Sequence, residues 1–171
     1  GVDALYASLE HLRLFSIGLN CATGPEFMTD HLRSLSDMAT CFVTAYPNAG
    51  LPDERGHYEE TPDSLALKMR RFVDEGWVNA IGGCCGTTPA HIAALARIAE
   101  GRAPRRPAAS RAAAVSGIEA VYPADDNRPL LVGERTNVIG SRKFKELIVA
   151  DKFEEAAEVG RAQVKGGAQV V

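Results

Sequence analysis

No apolar run among the 171 residues approaches the roughly 20 that a membrane-crossing helix needs, and the opening Gly-Val-Asp-Ala has neither a charged leader nor an apolar stretch. No membrane partner is expected, and the chain reads as cytoplasmic. There is no surplus of charge either: 19 basic and 22 acidic residues are interspersed and sum to −3. A nucleic-acid binder carries a basic patch; its lack excludes nucleic acid and points to a small-molecule partner. Internal repeats are missing, as is any low-complexity tract beyond the alanine-rich part of residues 102–129. The first residue is Gly, and residues 168–171 read as a strand with nothing after it. The chain is therefore expected to be an excerpt of a longer protein, inactive by itself.

What is present, 46% hydrophobic and 24% charged residues, is the composition of a folded globular chain. Over residues 3–100, helical and strand patterns alternate, which predicts parallel βα units. A helix is expected over 3–12, with Leu5, Leu9 and Leu12 inward, and a strand over 14–19. Gly24 and Pro25 open a second helix with a stripe of Met28, Leu32, Leu35 and Ala39, and residues 41–46 form the next strand. Thr61 caps a helix starting at Pro62, with Leu65, Met69, Phe72 and Val73 inward and Gly76 ending it. A third strand, 77–81, runs into the turn Gly-Gly-Cys-Cys-Gly-Thr. Thr88 then caps a helix at Pro89 with Ile92, Leu95, Ala96 and Ala99 inward.

Three parallel strands are too few to close a βα barrel, which takes about 250 residues. They fit part of such a barrel or, as the alternative, part of an open doubly wound sheet. Residues 102–129, with Pro104, Arg105, Arg106, Pro107 and Arg111, read as an interdomain linker. A second βα unit occupies 130–171. Its strand at 130–133 leads through Glu134-Arg135-Thr136-Asn137 to a helix broken near Asp151, with Phe153, Ala156, Ala157 and Val164 on one face.

The four cysteines sort by position. Binding groups in parallel βα folds gather at the carboxyl ends of the strands. Cys21 follows the first strand and the adjacent pair Cys84-Cys85 follows the third, so these thiols share one face, whereas Cys41 begins its strand and belongs to the core at the other end. Three thiolates from two loops match a catalytic zinc site, with three protein ligands and one exchangeable position. Spacing alone leaves open that Cys84 and Cys85 merely fill a glycine-flanked turn and that Cys21 packs in the core. Asn48, just past the second strand, faces the same site as a weak oxygen ligand or substrate contact, or serves as a turn residue in Pro-Asn-Ala-Gly. His11, His31 and His91 are expected to be surface or packed histidines, and His57 a solvated loop residue.

Gly-Leu-Asn-Cys21-Ala-Thr-Gly-Pro, Thr-Ala-Tyr-Pro-Asn48-Ala-Gly-Leu-Pro and Gly-Gly-Cys84-Cys85-Gly-Thr-Thr-Pro together resemble the homocysteine S-methyltransferase family. That resemblance implies a zinc-binding barrel in which Cys21, Cys84 and Cys85 hold the metal and homocysteine supplies the fourth sulfur. A second stretch, Val132-Gly-Glu-Arg135-Thr136-Asn137-Val-Ile-Gly-Ser-Arg-Lys-Phe144, resembles the start of the pterin-binding barrel of the cobalamin-dependent methionine synthases. On its own it also reads as an ordinary strand-to-helix turn with Ser141 as the cap. The paired resemblance implies an α/β chain made of parts of two TIM-type (β/α)8 barrels, 1–101 and 130–171. Arg135, Thr136 and Asn137 would then contact methyltetrahydrofolate, and cobalamin would be bound by a region outside this chain, as would the reactivation domain. Fusion of the first barrel to another folate enzyme, or a non-catalytic zinc or redox thiol module, are the competing readings.

Overall fold

The computed structural model describes residues 1–110 and 112–171; Arg111, in the segment read as a linker, lies outside the described residues. The chain divides into two compact units, Gly1–Ala112 with Ser116–Ala120, and Ala113–Val115 with Val121–Val171.

In the first unit, strands β1 (Ser16–Asn20), β2 (Phe42–Tyr46) and β3 (Ala80–Ile81) form a parallel sheet in that order. Ile17 lies opposite Val43, and Ala45 opposite Ile81. Helix α1 (Val2–Leu9) precedes β1, and a 3-10 turn at Pro25–Met28 leads into α2 (Thr29–Met38) between β1 and β2. Helix α3 (Pro62–Asp74) joins β2 to β3, and α4 (Pro89–Ala99) follows β3. The helix starts obey local chemistry. Thr61 Oγ1 accepts the Ser64 N–H at 3.2 Å, and Pro62 and Pro89 occupy first-turn positions where a missing N–H leaves nothing unpaired. Gly76, at φ 65°, ends the turn after α3 in a conformation costly for a residue with a Cβ.

The stripe of Met28, Leu32, Leu35 and Ala39 is buried, as are Leu65, Met69 and Phe72 of α3. These side chains pack with Ile17, Val43 and Ala45 of the sheet in one core cluster, each large one contributing about 1.5–3 kcal/mol by leaving water. The rotation of two helices differs from the apolar pattern. In α1, Ala4 and Tyr6 point inward while Leu5, and Leu12 in the 3-10 turn that follows, are exposed, because the Tyr6 hydroxyl accepts the Thr40 N–H at 2.8 Å and ties that face of α1 to the end of α2. In α4 the inward side is His91, Ala94 and Leu95, and Ile92 and Ala96 are exposed. Here His91 is the anchor: its Nδ1 accepts the Thr88 N–H at 3.1 Å, and its Nε2 lies 2.9 Å from the Glu60 carbonyl. The third strand is shorter than expected, since Trp77 N–H closes the end of α3 on Phe72 O at 2.9 Å instead of joining the sheet.

Residues 102–110 belong to this first unit. The guanidinium of Arg105, 4% exposed, donates to the carbonyls of Ser36 (2.9 and 2.7 Å), Ala39 (2.5 Å) and Cys41 (2.9 Å). Asn79 bridges the segment to the sheet, accepting from Val43 N–H at 2.9 Å and donating to Arg105 O at 2.7 Å. Two short strands, β4 (Val115–Ser116) and β5 (Ala120–Val121), pair with each other.

The second unit carries α5 (Arg142–Val149) and α6 (Phe153–Lys165). Ser141 caps α5, its Oγ accepting from Phe144 N–H at 3.3 Å. The strands expected at 130–133 and 168–171 are reduced to one parallel bridge, Val132 with Val170. Of the apolar face expected on α6, Ala156 is buried, whereas Phe153, Ala157 and Val164 are exposed. Among the described residues no helix is long and apolar enough to cross a membrane.

Candidate metal centre

The parallel sheet brings three loops to its carboxyl edge. Directly after β1 the backbone turns back through two consecutive left-handed residues, Cys21 at φ 59° and Ala22 at φ 63°. Such a conformation costs a non-glycine residue of order 1–3 kcal/mol. It is held by Cys21 N–H on Tyr46 O (2.9 Å), Thr23 N–H on Cys21 O (2.7 Å) and Asn48 N–H on Thr23 O (3.0 Å). After β3, Cys84 N–H donates to Pro47 O at 2.8 Å, and Ala49 N–H donates to Cys85 O at 2.9 Å. Thr87 closes that turn, its hydroxyl donating to Cys84 O at 2.7 Å.

This scaffold converges three sulfurs. Cys21 Sγ is 3.7 Å from Cys85 Sγ, which is 3.9 Å from Cys84 Sγ, and all three lie within 4.8 Å of one another. Such a group could hold a metal ion. Residues 1–99, which include all three thiols and run to the end of α4, match the family model of homocysteine S-methyltransferases. The chain belongs to the homocysteine S-methyltransferase family.

Membership gives the thiol cluster of this methyltransferase a chemical context, homocysteine methylation. Two of these thiols are shifted in opposite directions. Cys21 is held below the usual thiol range, first by the Ala22 N–H, then by hydrogen bonds from Cys85 and Cys84, with a smaller contribution from Asn48. Cys85 is pushed up because its proton serves Cys21 and Cys84. One thiolate thus forms readily and the next against its charge, so a cation is what lets the full set ionise together.

Asn48 is buried at 4% exposure behind this cluster, and its Oδ1 accepts the Cys85 N–H at 3.1 Å. It joins the loop after β2 to the cysteine pair. Cys41 lies at the opposite end of β2, where burial pushes its thiol up and its carbonyl receives Arg105. His57 stays solvated, 3.8 Å from Asp53, and His91 is buried on the inward side of α4, its ring nitrogens engaged by Thr88 and Glu60.

Arg135, Thr136 and Asn137 lie in the second unit, outside the matched residues. Asn137 shapes its own turn, Oδ1 accepting from Ile139 N–H at 2.9 Å and Nδ2 donating to Glu134 at 3.2 Å. Arg135 N–H donates to Gln163 Oε1 at 2.6 Å, leaving the Arg135 side chain exposed. One residue at the thiol cluster had no sequence signal. The ring of Tyr58, from the long loop after β2, lies against Gly86, next to the pair, and the hint is that Gly86 has no side chain to block it.

Proposed function

We propose that this chain supplies the zinc-thiolate site that activates homocysteine in a cobalamin-dependent methionine synthase, with Cys21, Cys84 and Cys85 as the protein ligands. The observation that carries this reading is the sulfur spacing. Zinc–sulfur bonds of about 2.3 Å in a tetrahedron put two ligand sulfurs about 3.8 Å apart, against 3.7 and 3.9 Å here. Three thiolates also suit the chemistry. Zinc so held supplies a redox-inert centre with an exchangeable fourth position, where a substrate thiol is kept ionised at neutral pH. The chain's own part is to hold the sulfurs: the left-handed turn at Cys21 aims one, and Asn48, through Cys85 N–H, sets the backbone that aims another.

The helices of the first unit pack on the Ile17, Val43 and Ala45 side of the sheet, which favours part of a TIM-type barrel over a doubly wound sheet covered on both faces. In the same reading the second unit opens a pterin-binding barrel, with 102–129 between the two. Cobalamin, bound outside these residues, would supply the methyl carrier between methyltetrahydrofolate and homocysteine, with Arg135, Thr136 and Asn137 contacting the folate and Cys21, Cys84 and Cys85 holding the zinc. Free thiols of this kind persist in a reducing, cytoplasmic setting.

Metal analysis and X-ray absorption with and without homocysteine test the site. One zinc with three sulfur neighbours, rising to four on adding homocysteine, is the expected result; a sulfur count indifferent to homocysteine overturns the assignment and favours a redox thiol cluster. A separate variant tests the folate half. In a synthase that carries this chain together with the cobalamin-binding region, Arg135→Ala is expected to raise KM for methyltetrahydrofolate about tenfold, the loss of one charged hydrogen bond, with zinc content unchanged. An unchanged KM would remove Arg135 from the folate contacts.

A further inference from the structure

Lys68, on α3, holds two carboxylates at once: its Nζ lies 2.6 Å from Glu26 Oε1 and 2.5 Å from Glu60 Oε2. Glu26 stands in the 3-10 turn that follows the Cys21 loop, and Glu60 lies near the end of the long loop after β2 that carries Asn48. The Glu60 side chain is 9% exposed, and Ser64 Oγ donates to its other oxygen. The Glu60 carbonyl extends the link to the third loop. His91 Nδ1 accepts the Thr88 N–H, so the ring proton sits on Nε2 and is donated to Glu60 O at 2.9 Å; Thr88 is the helix cap reached straight from the Cys84-Cys85 turn. One polar chain, Glu26–Lys68–Glu60–His91–Thr88, thus joins the three loops that bring Cys21, Asn48 and the cysteine pair together. An isolated surface ion pair contributes little. Here one ammonium serves two carboxylates, one of them largely buried, and without it they are left as neighbouring like charges. Glu26 and then Glu60 raise the pKa of Lys68, and Lys68 lowers that of Glu26, so this pair is charged at neutral pH.

We infer that Lys68 is a positioning residue of the thiol cluster: by bridging Glu26 and Glu60 it fixes the Cys21 loop against the Asn48 loop and presets the sulfur spacing before a metal binds. The inference rests on the zinc-thiolate reading above. A metal binds the pose in which the three sulfurs converge, so its apparent affinity falls with the fraction of metal-free protein in that pose. The left-handed pair Cys21-Ala22 stores strain that relaxes if the turn opens. The bridge to Glu26 holds the exit of that turn closed. The two loops also meet closely there, since a Cβ on Gly24 would stand 3.5 Å from Gly50 Cα and 2.9 Å from Glu26 Oε2.

Lys68→Met keeps the aliphatic stem and removes the ammonium. Two measurements on the full chain read the result: zinc affinity by competition with a chromophoric chelator, and the visible d–d absorption after cobalt(II) replaces zinc. Zinc binding is expected to weaken about tenfold, the loss of one charged hydrogen bond, and the cobalt bands to lose intensity as the tetrahedral sulfur set loosens. Lys68→Arg, which keeps a cation between the carboxylates, should restore most of both. Arg102→Ala is the control: it breaks the 3.0 Å ion pair with Asp74 at the far end of α3 and is expected to leave metal affinity unchanged. Circular dichroism of the metal-free proteins checks folding. Where Lys68→Met does not fold, Glu60→Gln, which removes the charge and keeps the shape, decides in its place: several-fold weaker zinc binding supports the bridge, and unchanged affinity overturns it. Wild-type protein that takes up zinc, with Lys68→Met lowered in Tm alone and identical in affinity and cobalt spectrum, makes the bridge a purely structural ion pair; that overturns the inference and leaves the zinc site standing. Wild-type protein that takes up no metal overturns the zinc reading itself, and the inference with it.

Discussion

On the zinc-thiolate reading, Cys84→Ala is expected to remove metal binding while leaving the first unit folded. A four-ligand zinc site is worth roughly 10–16 kcal/mol at neutral pH, so one ligand carries about 3 kcal/mol, or ~100-fold in affinity. Cys21→Ala should do the same, because each sulfur is one of three that converge. The fold should survive because Cys84 is half-exposed in a loop, held by its backbone N–H on Pro47 O and its carbonyl under Thr87, none of which the substitution removes. Cys41→Ala is the control. That thiol is at the other end of β2, and its loss should leave metal content untouched. Metal analysis of the purified variants, beside circular dichroism, checks all three. Full zinc content in Cys84→Ala would show that the ion, if present, is held elsewhere.

Arg105→Ala should have the largest effect on stability, about 3–5 kcal/mol, seen as a fall in Tm of ~10 °C or more on thermal unfolding. Its guanidinium closes the end of α2, donating four hydrogen bonds to the main-chain carbonyls of Ser36, Ala39 and Cys41. Burial lowers the pKa of this arginine, and the carbonyl dipoles are what offset the cost of taking the charge out of water. Alanine strips the guanidinium from all three carbonyls, leaving Ala39 O to the Ala108 N–H alone, and leaves a cavity where the side chain lay. Arg105→Lys should rescue little, because a single ammonium cannot match the planar fork that reaches Ser36, Ala39 and Cys41 at once. A change below 1 kcal/mol for Arg105→Ala would mean that residues 102–110 contribute no stability to the first unit.

How much of this could be read beforehand differs from residue to residue. The starts of α3 and α4 were legible in Thr61-Pro62 and Thr88-Pro89, because capping is a property of a few adjacent residues. So was the stripe of α2, where spacing and burial coincide. The inward faces of α1 and α4 were not. Periodicity states which residues share a stripe, but Tyr6 and His91 set the rotation through hydrogen bonds to Thr40 and Glu60, partners 34 and 31 residues away. The second unit shows a similar limit, since a strand pattern at 130–133 states a preference and a ladder needs neighbours to realise it.

The thiol site divides along the same line. Sequence alone determined which cysteines could meet, since in a parallel βα arrangement every strand's carboxyl end opens on one face, and Cys21, Cys84 and Cys85 follow strand ends while Cys41 precedes one. Only the tertiary structure decided how they meet. The 3.7 and 3.9 Å spacings, the seat of Asn48 behind Cys85, the approach of Tyr58 over Gly86 and the burial of Arg105 under α2 each depend on hydrogen bonds and contacts between segments far apart in the chain. Local sequence specifies conformation through near neighbours; the placement of one loop against another is set by packing and by the pairing of buried polar groups, which no single segment encodes.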